Sequence, residues 1–225
     1  MTKQSDERIQ TSESLAVGSI LAIIGGYMDS YSYICRGGVF ANAATGNVVH
    51  LAISFASFKW IQVIKYMIPI TAFATGVIIS SFVKLKRDNI NAFHWRQVTV
   101  FIEIIVLAVV AFIPQEMNLL ANSIISLTCG IQATAFNKFH DNAMSTTMCT
   151  GNLRNGMQCL CSYGATKNKE YLRRALIYIG CIFLFILGAM IGSKVSSVLL
   201  EKSILIPAFC LFAVLILMFT EKRKK

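Results

Sequence analysis

Residues 38–58 read GVFANAATGNVVHLAISFASF, an apolar run interrupted by Thr45-Gly46-Asn47. Residues 143–163 read AMSTTMCTGNLRNGMQCLCSY, where Thr150-Gly151-Asn152 repeats the triplet 105 residues later (150 − 45). Glycine permits the backbone dihedrals of a tight break. Irregular backbone at membrane depth is tolerated only where protein buries it or a water-filled cavity adjoins it. The repeated triplet therefore predicts two broken membrane segments.

The composition around the triplets is that of a membrane protein. The chain is 55% hydrophobic and 14% charged, with a mean hydropathy of +0.61, whereas soluble domains carry about 25% charged residues. The net charge of +10 comes without a basic stripe interleaved with aromatics, so nucleic-acid binding is not expected. The seven cysteines lie in or beside apolar segments without a C-x-x-C spacing, which predicts apolar packing and no metal site. With no H-E-x-x-H motif and no Cys–His–Asp cluster, the chain is not predicted to be an enzyme or to need a cofactor.

Eight apolar segments follow one another along the chain, and each has about the 20 residues that cross a bilayer. We name them A, B, C and D in the first half and A′, B′, C′ and D′ in the second. In that order they are 15–35, 38–58, 61–83, 97–114, 117–137, 143–163, 171–195 and 203–220.

The positions of lysine and arginine set the orientation of these segments. The stretches 84–96, 166–174 and 221–225 are rich in Lys and Arg and are predicted to be cytoplasmic, while the turn 114–117 has none and is predicted to lie outside. An outside turn and an inside loop are separated by an odd number of crossings, yet A′ and B′ are two segments. B′ is rich in Ser, Thr, Asn and Gly and carries Arg154, so we expect it to enter the membrane and return, and B to do the same.

The resulting fold class is an all-α integral membrane protein with six transmembrane helices, two re-entrant or broken segments and an inverted internal repeat. A cytoplasmic tail, 1–14, precedes membrane repeat 1, 15–114; membrane repeat 2, 115–220, is followed by a basic cytoplasmic tail, 221–225. The two repeats form a single membrane domain. Fifteen of the 21 Lys and Arg residues then face the cytoplasm, five face outside and Arg154 lies in a hairpin.

Glycine spacing supports a repeat. Gly25 matches Gly130 at an offset of 105, the offset of the two triplets. Gly76 and Ser80 match Gly188 and Gly192 at an offset of 112. Small residues four apart allow close helix contact in lipid. Three spans in each half require opposite orientations, a pattern typical of transporters with a binding site near the midplane.

The polar residues of the broken segments are the candidate solute-binding residues. Threonine can cap a helix that resumes after a break, and asparagine offers both donors and an acceptor. A helix that begins at mid-depth points its positive end there, which favours anions or polar oxygens. The full candidate set is Thr45, Gly46, Asn47, Thr150, Gly151, Asn152, Asp29, Gln132 and Arg154.

Two alternatives stay open at this point. The triplets contact a solute, or they only close each turn and lock the two hairpins together. Asp29 is a functional carboxylate of the membrane interior, or it is neutralised by Arg36, which lies two helical turns later on the same face.

Residues 25–49, GGYMDSYSYICRGGVFANAATGNVV, and 130–158, GIQATAFNKFHDNAMSTTMCTGNLRNGMQ, resemble the YoaK family of predicted bacterial multi-pass membrane proteins, a domain of unknown function. The shared pattern is G-x-x-D and G-G-V-F before the first T-G-N, and a G-x-Q segment before the second. This chain departs from it at Ala133-Thr134, where Asn-Ala is common. The resemblance spans nearly the whole chain and implies six helices in the bacterial inner membrane, with no substrate attached.

The function expected from these features is a small polar or anionic solute transporter or channel, with its site at the two triplets. The alternative is a membrane scaffold or sensor component that transports nothing. Besides the lipid bilayer and a solute, the partner left open is a second copy of the chain in a homo-oligomer.

Overall fold

The computed structural model describes residues 15–86, 92–139, 142–143 and 149–220. The predicted tails, 1–14 and 221–225, and residues 144–148 of segment B′ lie outside the described residues. Within the described part the chain forms eight α-helices, two short 3-10 turns at Gln115–Met117 and Leu200–Ile204, and a two-residue antiparallel pairing of Lys138–Phe139 with Asn142–Ala143. The helices are α1 Leu15–Cys35, α2 Ala44–Ala56, α3 Trp60–Lys86, α4 Ala92–Val110, α5 Asn118–Ala135, α6 Cys149–Thr166, α7 Lys169–Leu199 and α8 Leu205–Thr220. The all-α class is confirmed.

Each apolar segment corresponds to one helix, and in the two segments with triplets the helix begins after the segment's start. α2 has 13 residues, a length of about 20 Å, which is short of the roughly 30 Å hydrocarbon core. In both α2 and α6 the Thr-Gly-Asn triplet forms the second to fourth residues of the helix. The N-cap of α2 is Ala43, without a side-chain cap, so the expectation that Thr45 caps this helix is wrong.

α1 and α7 cross at glycines. A Cβ added to Gly188 of α7 would overlap the carbonyl oxygen of Ile23 on α1, and a Cβ on Gly26 would overlap the carbonyl oxygen of Phe185 on α7. Gly192, one turn after Gly188, meets the backbone of Tyr27, one turn after Ile23. The two helices therefore run parallel, with backbone against backbone, and the contact requires residues without a side chain.

α3 and α5 cross in the same way. A Cβ on Gly76 of α3 would overlap the carbonyl oxygen of Leu127, and a Cβ on Gly130 of α5 would overlap that of Phe73. One turn farther along α3, the Ser80 hydroxyl donates to the carbonyl of Ile131 at 3.3 Å. These two helices are also parallel.

The two crossings use matching positions. On the α3 and α7 side, Gly76 corresponds to Gly188 at the predicted offset of 112 (188 − 76). On the α1 and α5 side, the glycine that corresponds to Gly130 is Gly26, at an offset of 104 (130 − 26). Gly26 is the glycine seen to face α7, and the match of Gly25 with Gly130 stays a prediction.

The outer surface of the bundle is apolar. Large hydrophobic side chains are exposed on most helices, among them Ile61, Phe112 and Val198, each more than three-quarters exposed. Exposed apolar area of this extent is unusual in a soluble monomer. Two described helical stretches, Trp60–Leu85 and Lys169–Phe219, are long and apolar enough to cross a membrane by length and composition. The second of these includes α7, the 3-10 turn and α8.

Candidate functional site

A cavity of about 560 Å³ lies where the first turns of α2 and α6 meet α1 and α7. Thr45 of α2 and Thr150 and Gly151 of α6 line it, together with Asp29 of α1 and Phe185 of α7. The two triplets are 105 residues apart in the chain and share one cavity in the fold. Of the nine predicted site residues, these four lie on its wall: Asp29, Thr45, Thr150 and Gly151.

Two helix N-termini face this cavity. The first N–H groups of a helix have no partner within it, and together with the helix dipole they form a region of positive potential. At α2 the carboxylate of Asp29 meets this potential, because its Oδ1 accepts from the backbone N–H of Asn42 at 2.7 Å and of Ala43 at 3.2 Å. Its second oxygen, Oδ2, is buried without a hydrogen-bond partner.

Arg36 does not neutralise Asp29. The guanidinium is fully buried and donates to Tyr31 Oη at 2.8 Å and to the carbonyls of Ile113 at 2.8 Å and Val110 at 2.9 Å. It thus binds the chain between α4 and α5, and it does not line the cavity. Of the two alternatives for Asp29, pairing with Arg36 is wrong.

Two members of the first triplet close a turn. Asn47 is buried, and its amide forms two bonds with the backbone of Phe40: Nδ2 donates to the carbonyl at 2.6 Å, and Oδ1 accepts from the N–H at 3.0 Å. Gly46 lies against the Phe40 ring, where an added Cβ would come within 2.9 Å of Cδ2. Neither residue lines the cavity, so for them the turn-closing alternative describes the structure.

The three remaining predicted residues also lie away from the cavity wall. Asn152 is buried against α7 and donates to Cys181 Sγ at 3.4 Å. Gln132 donates to Glu103 Oε2 at 2.9 Å, between α5 and α4. Arg154 is exposed on α6. Of the nine candidate residues, four line the cavity and five do not.

Part of the cavity wall was not predicted. α7 contributes Phe185, Ala189 and Ser193, and α6 contributes Cys149 directly before its triplet. The signal that could have identified the α7 positions is their spacing: residues 185, 189 and 193 are four apart, beside the glycines that bring α7 against α1.

The chemistry of the cavity suits a small polar solute. Two threonines, one carboxylate and two helix N-termini supply polar contacts, and Phe185 and Phe40 supply apolar walls. Pockets of this kind, mostly apolar with a few convergent polar groups, are typical of small-molecule sites. Within the described ranges, no group of three or more His, Cys, Asp or Glu side chains is arranged to hold a metal ion.

Comparison with known proteins agrees with the resemblance noted in the sequence. Residues 17–217 match the family described as a protein of unknown function, DUF1275. The chain is 25% identical to the UPF0700 transmembrane protein YoaK of Bacillus subtilis (strain 168). The 215 aligned residues cover 92% of this chain and 93% of the relative. No solved structure matches the chain. With its apolar exterior, the chain is an all-α membrane protein.

Proposed function

We propose that this chain, which belongs to the DUF1275 family, moves a small polar or anionic solute across the bacterial inner membrane through the cavity between α2 and α6. The observation that carries the proposal is that both Thr-Gly-Asn helices begin at one cavity. Helix N-termini that meet at mid-depth, at the interface of two repeats, are how many transporters hold a polar or anionic solute. No enzymatic step is proposed.

The proposed topology has six spans, with α2 and α6 as half-helices and both termini in the cytoplasm. One feature supports it: α2 is too short to cross the membrane. The parallel pairs α1 with α7 and α3 with α5 are compatible with it, but each pair would run in the same direction whether or not α2 and α6 cross.

The proposed inverted repeat relates α1 to α5 and α3 to α7. The crossing of α1 with α7 and the crossing of α3 with α5 use glycines at offsets of 104 and 112. In such an arrangement the first helix of each repeat packs on the third helix of the other. Rocking of one such pair against the other would expose the cavity to alternate sides, by analogy with other inverted-repeat transporters.

The solute is identified by binding and then by uptake. Purified protein is screened for thermal stabilisation by small anions and neutral polar metabolites, because a ligand that binds only the folded state raises the unfolding temperature. The compounds that stabilise it are then tested for uptake into proteoliposomes. A protein that binds and transports none of them contradicts the proposal and favours the scaffold alternative.

A matched pair of leucine substitutions tests the cavity itself. An added Cβ at Gly151 meets no atom within 4 Å, so Gly151→Leu should fold and project into the cavity. Gly164 has the same free space on the same helix and does not line the cavity, so Gly164→Leu is the control. We expect uptake to fall at least tenfold in Gly151→Leu and to stay at the wild-type rate in Gly164→Leu, an effect of about 1.4 kcal/mol or more on the barrier. Equal uptake by the two variants would refute the site.

The topology has a separate test. Single cysteines at Glu116 and Asn168 are labelled in intact cells with a reagent that does not cross the membrane. Labelling is expected at residue 116 alone. If both positions are labelled, the chain does not return at α6 and the half-helix topology is wrong, whatever the transport assay gives.

A further inference from the structure

Glu103 is a second buried carboxyl, and it lies outside the cavity. The residue is 1% exposed on α4, and its Oε2 accepts from the Gln132 amide at 2.9 Å. Its other oxygen, Oε1, is buried without a hydrogen-bond partner. Among the described residues no ion pair involves this side chain. A carboxyl with one free oxygen and no counter-charge in a membrane interior calls for a bound partner.

The groups around Glu103 supply no positive charge to balance a carboxylate. On α5 the thiol of Cys129 lies within electrostatic range of Glu103, and on α8 the single titratable side chain among residues 205–219 is a cysteine. On α4 itself the Arg96 guanidinium donates to the carbonyl of Ala135 instead. The elements packed against α4 are α5, α8 and the 3-10 turn Leu200–Ile204 between α7 and α8, and the titratable or charged groups on them are Cys129, Cys210, Glu201 and Lys202. Among the described residues, no ion pair joins Glu103 to Lys202.

We propose that Glu103 is a proton-binding site of the membrane interior, and that its proton moves together with the solute. The carboxylate takes one proton from water and becomes the neutral acid, and the reverse step returns the proton to water. Proton binding rests on the geometry of Glu103 alone, and the coupled movement of the proton rests on the proposed transport function.

A proton fits the geometry better than a metal cation. Metal cations need several oxygen ligands, whereas the group in contact with Glu103 is the amide N–H side of Gln132. A proton needs one oxygen, and the free Oε1 supplies it. The neutral acid keeps Oε2 as an acceptor for Gln132, so the observed hydrogen bond is compatible with both protonation states.

An electrostatic connection joins this carboxyl to the cavity. The charges of both Glu103 and Asp29 act on the buried Cys129 thiol. An anionic solute beside Asp29 would favour the protonated form of Glu103, and by linkage the proton would favour the solute. α8 carries no acidic residue, so the second repeat does not duplicate the site.

Infrared spectroscopy tests proton binding without any solute. Purified protein in lipid nanodiscs at neutral pH should show the C=O stretch of a neutral carboxylic acid. We expect Glu103→Gln, which is isosteric and can still bond Gln132, to remove that band, and Asp29→Asn to retain it. Gln132→Leu should move its frequency, because the carbonyl loses its donor. A merely structural carboxylate would show no such band.

Three results would overturn the assignment: no neutral-acid band in the wild type, a band unchanged in Glu103→Gln, or a band lost when Na⁺ is added at constant pH. Size-exclusion profiles equal to the wild type establish that the variants are folded, and Glu103→Asp, which should retain a shifted band, is a second check.

Coupling is tested once a transported solute is found. In wild-type proteoliposomes a pH gradient, acid outside, should increase solute accumulation, and in Glu103→Gln the gradient should no longer alter it. A gradient effect that persists in Glu103→Gln overturns the coupling. If the infrared band behaves as expected and no solute is transported, the proton site stands and the transport function fails.

Discussion

Replacement of Arg36 by lysine should destabilise the fold strongly. Arg36 follows α1 and is fully buried, and its guanidinium donates in three directions. It binds Val110, where α4 ends, Ile113 in the turn that follows, and Tyr31 one turn back on α1, at 2.9, 2.8 and 2.8 Å. The Val110 carbonyl also accepts from the backbone N–H of Ile113 at 3.1 Å, so the carbonyl that depends most on the arginine is that of Ile113, which lies past the end of α4.

The magnitude follows from these three bonds. Lysine carries a compact ammonium on a flexible chain and cannot reproduce the planar fork. It can keep at most one of the three short bonds and so loses two. Each hydrogen bond to a charged group contributes about 1.5–3 kcal/mol, which gives a loss of about 3–6 kcal/mol. For a chain of this size, about 1 kcal/mol lowers the unfolding midpoint by about 2–4 °C, so Arg36→Lys should lower it by at least about 6 °C.

Thermal unfolding in detergent, followed by intrinsic fluorescence at a fixed scan rate, measures this change. Arg154→Lys is the matched control, because Arg154 is exposed on α6, and its midpoint should stay within about 1 °C of the wild type. If Arg36→Lys unfolds at the wild-type temperature, the carbonyls after α4 do not depend on the guanidinium, and the account of α1 anchored to the α4–α5 turn is wrong.

Two further changes test the glycine crossing and the closed turn. Gly188→Ala places a methyl group on the carbonyl of Ile23 and should destabilise the folded protein by about 1–3 kcal/mol. The control, Gly180→Ala on the same helix, meets no atom within 4 Å and should be neutral or stabilising. Equal unfolding midpoints for the two variants would contradict the close crossing. Asn47→Asp removes the amide that donates to the Phe40 carbonyl and should cost about 1–3 kcal/mol; an unchanged midpoint would show that this bond does not hold the turn.

The helices and their late starts at the triplets could be predicted from the sequence. Apolar segments of membrane-crossing length become helices because the bilayer leaves backbone groups no other partner. Loop charges predicted B and B′ as the segments that return, and the 13 residues of α2, too few to cross, are compatible with that prediction for B. The meeting of both triplets at one cavity is what the predicted topology would give, since two half-helices that begin after breaks from opposite sides would start at similar depth.

The partners of individual polar side chains could not be predicted. Arg36 and Asp29 share a helix face, which suggested an ion pair, yet both bind backbone groups of other segments. Backbone carbonyls and N–H groups belong to every residue, so they leave no pattern in the sequence. The same applies to Asn47, whose partner is the backbone of Phe40. Tertiary placement alone decides which peptide group lies within reach.

The two halves of the chain match in their backbone contacts and differ in their charges. The glycine crossings recur, but the position matching Asp29 at an offset of 104 is Ala133, and α8 has no acid to match Glu103. If the two halves were chemically identical, exchange of their conformations would produce two states of equal energy, one open to each side. The two buried carboxyls among the described residues, Asp29 and Glu103, both lie in the first half and remove that equality, and under the proposal a proton on Glu103 would change the difference. Under the proposed inverted repeat and proton coupling, this asymmetry of charge is what would let the proton favour one of two otherwise similar states.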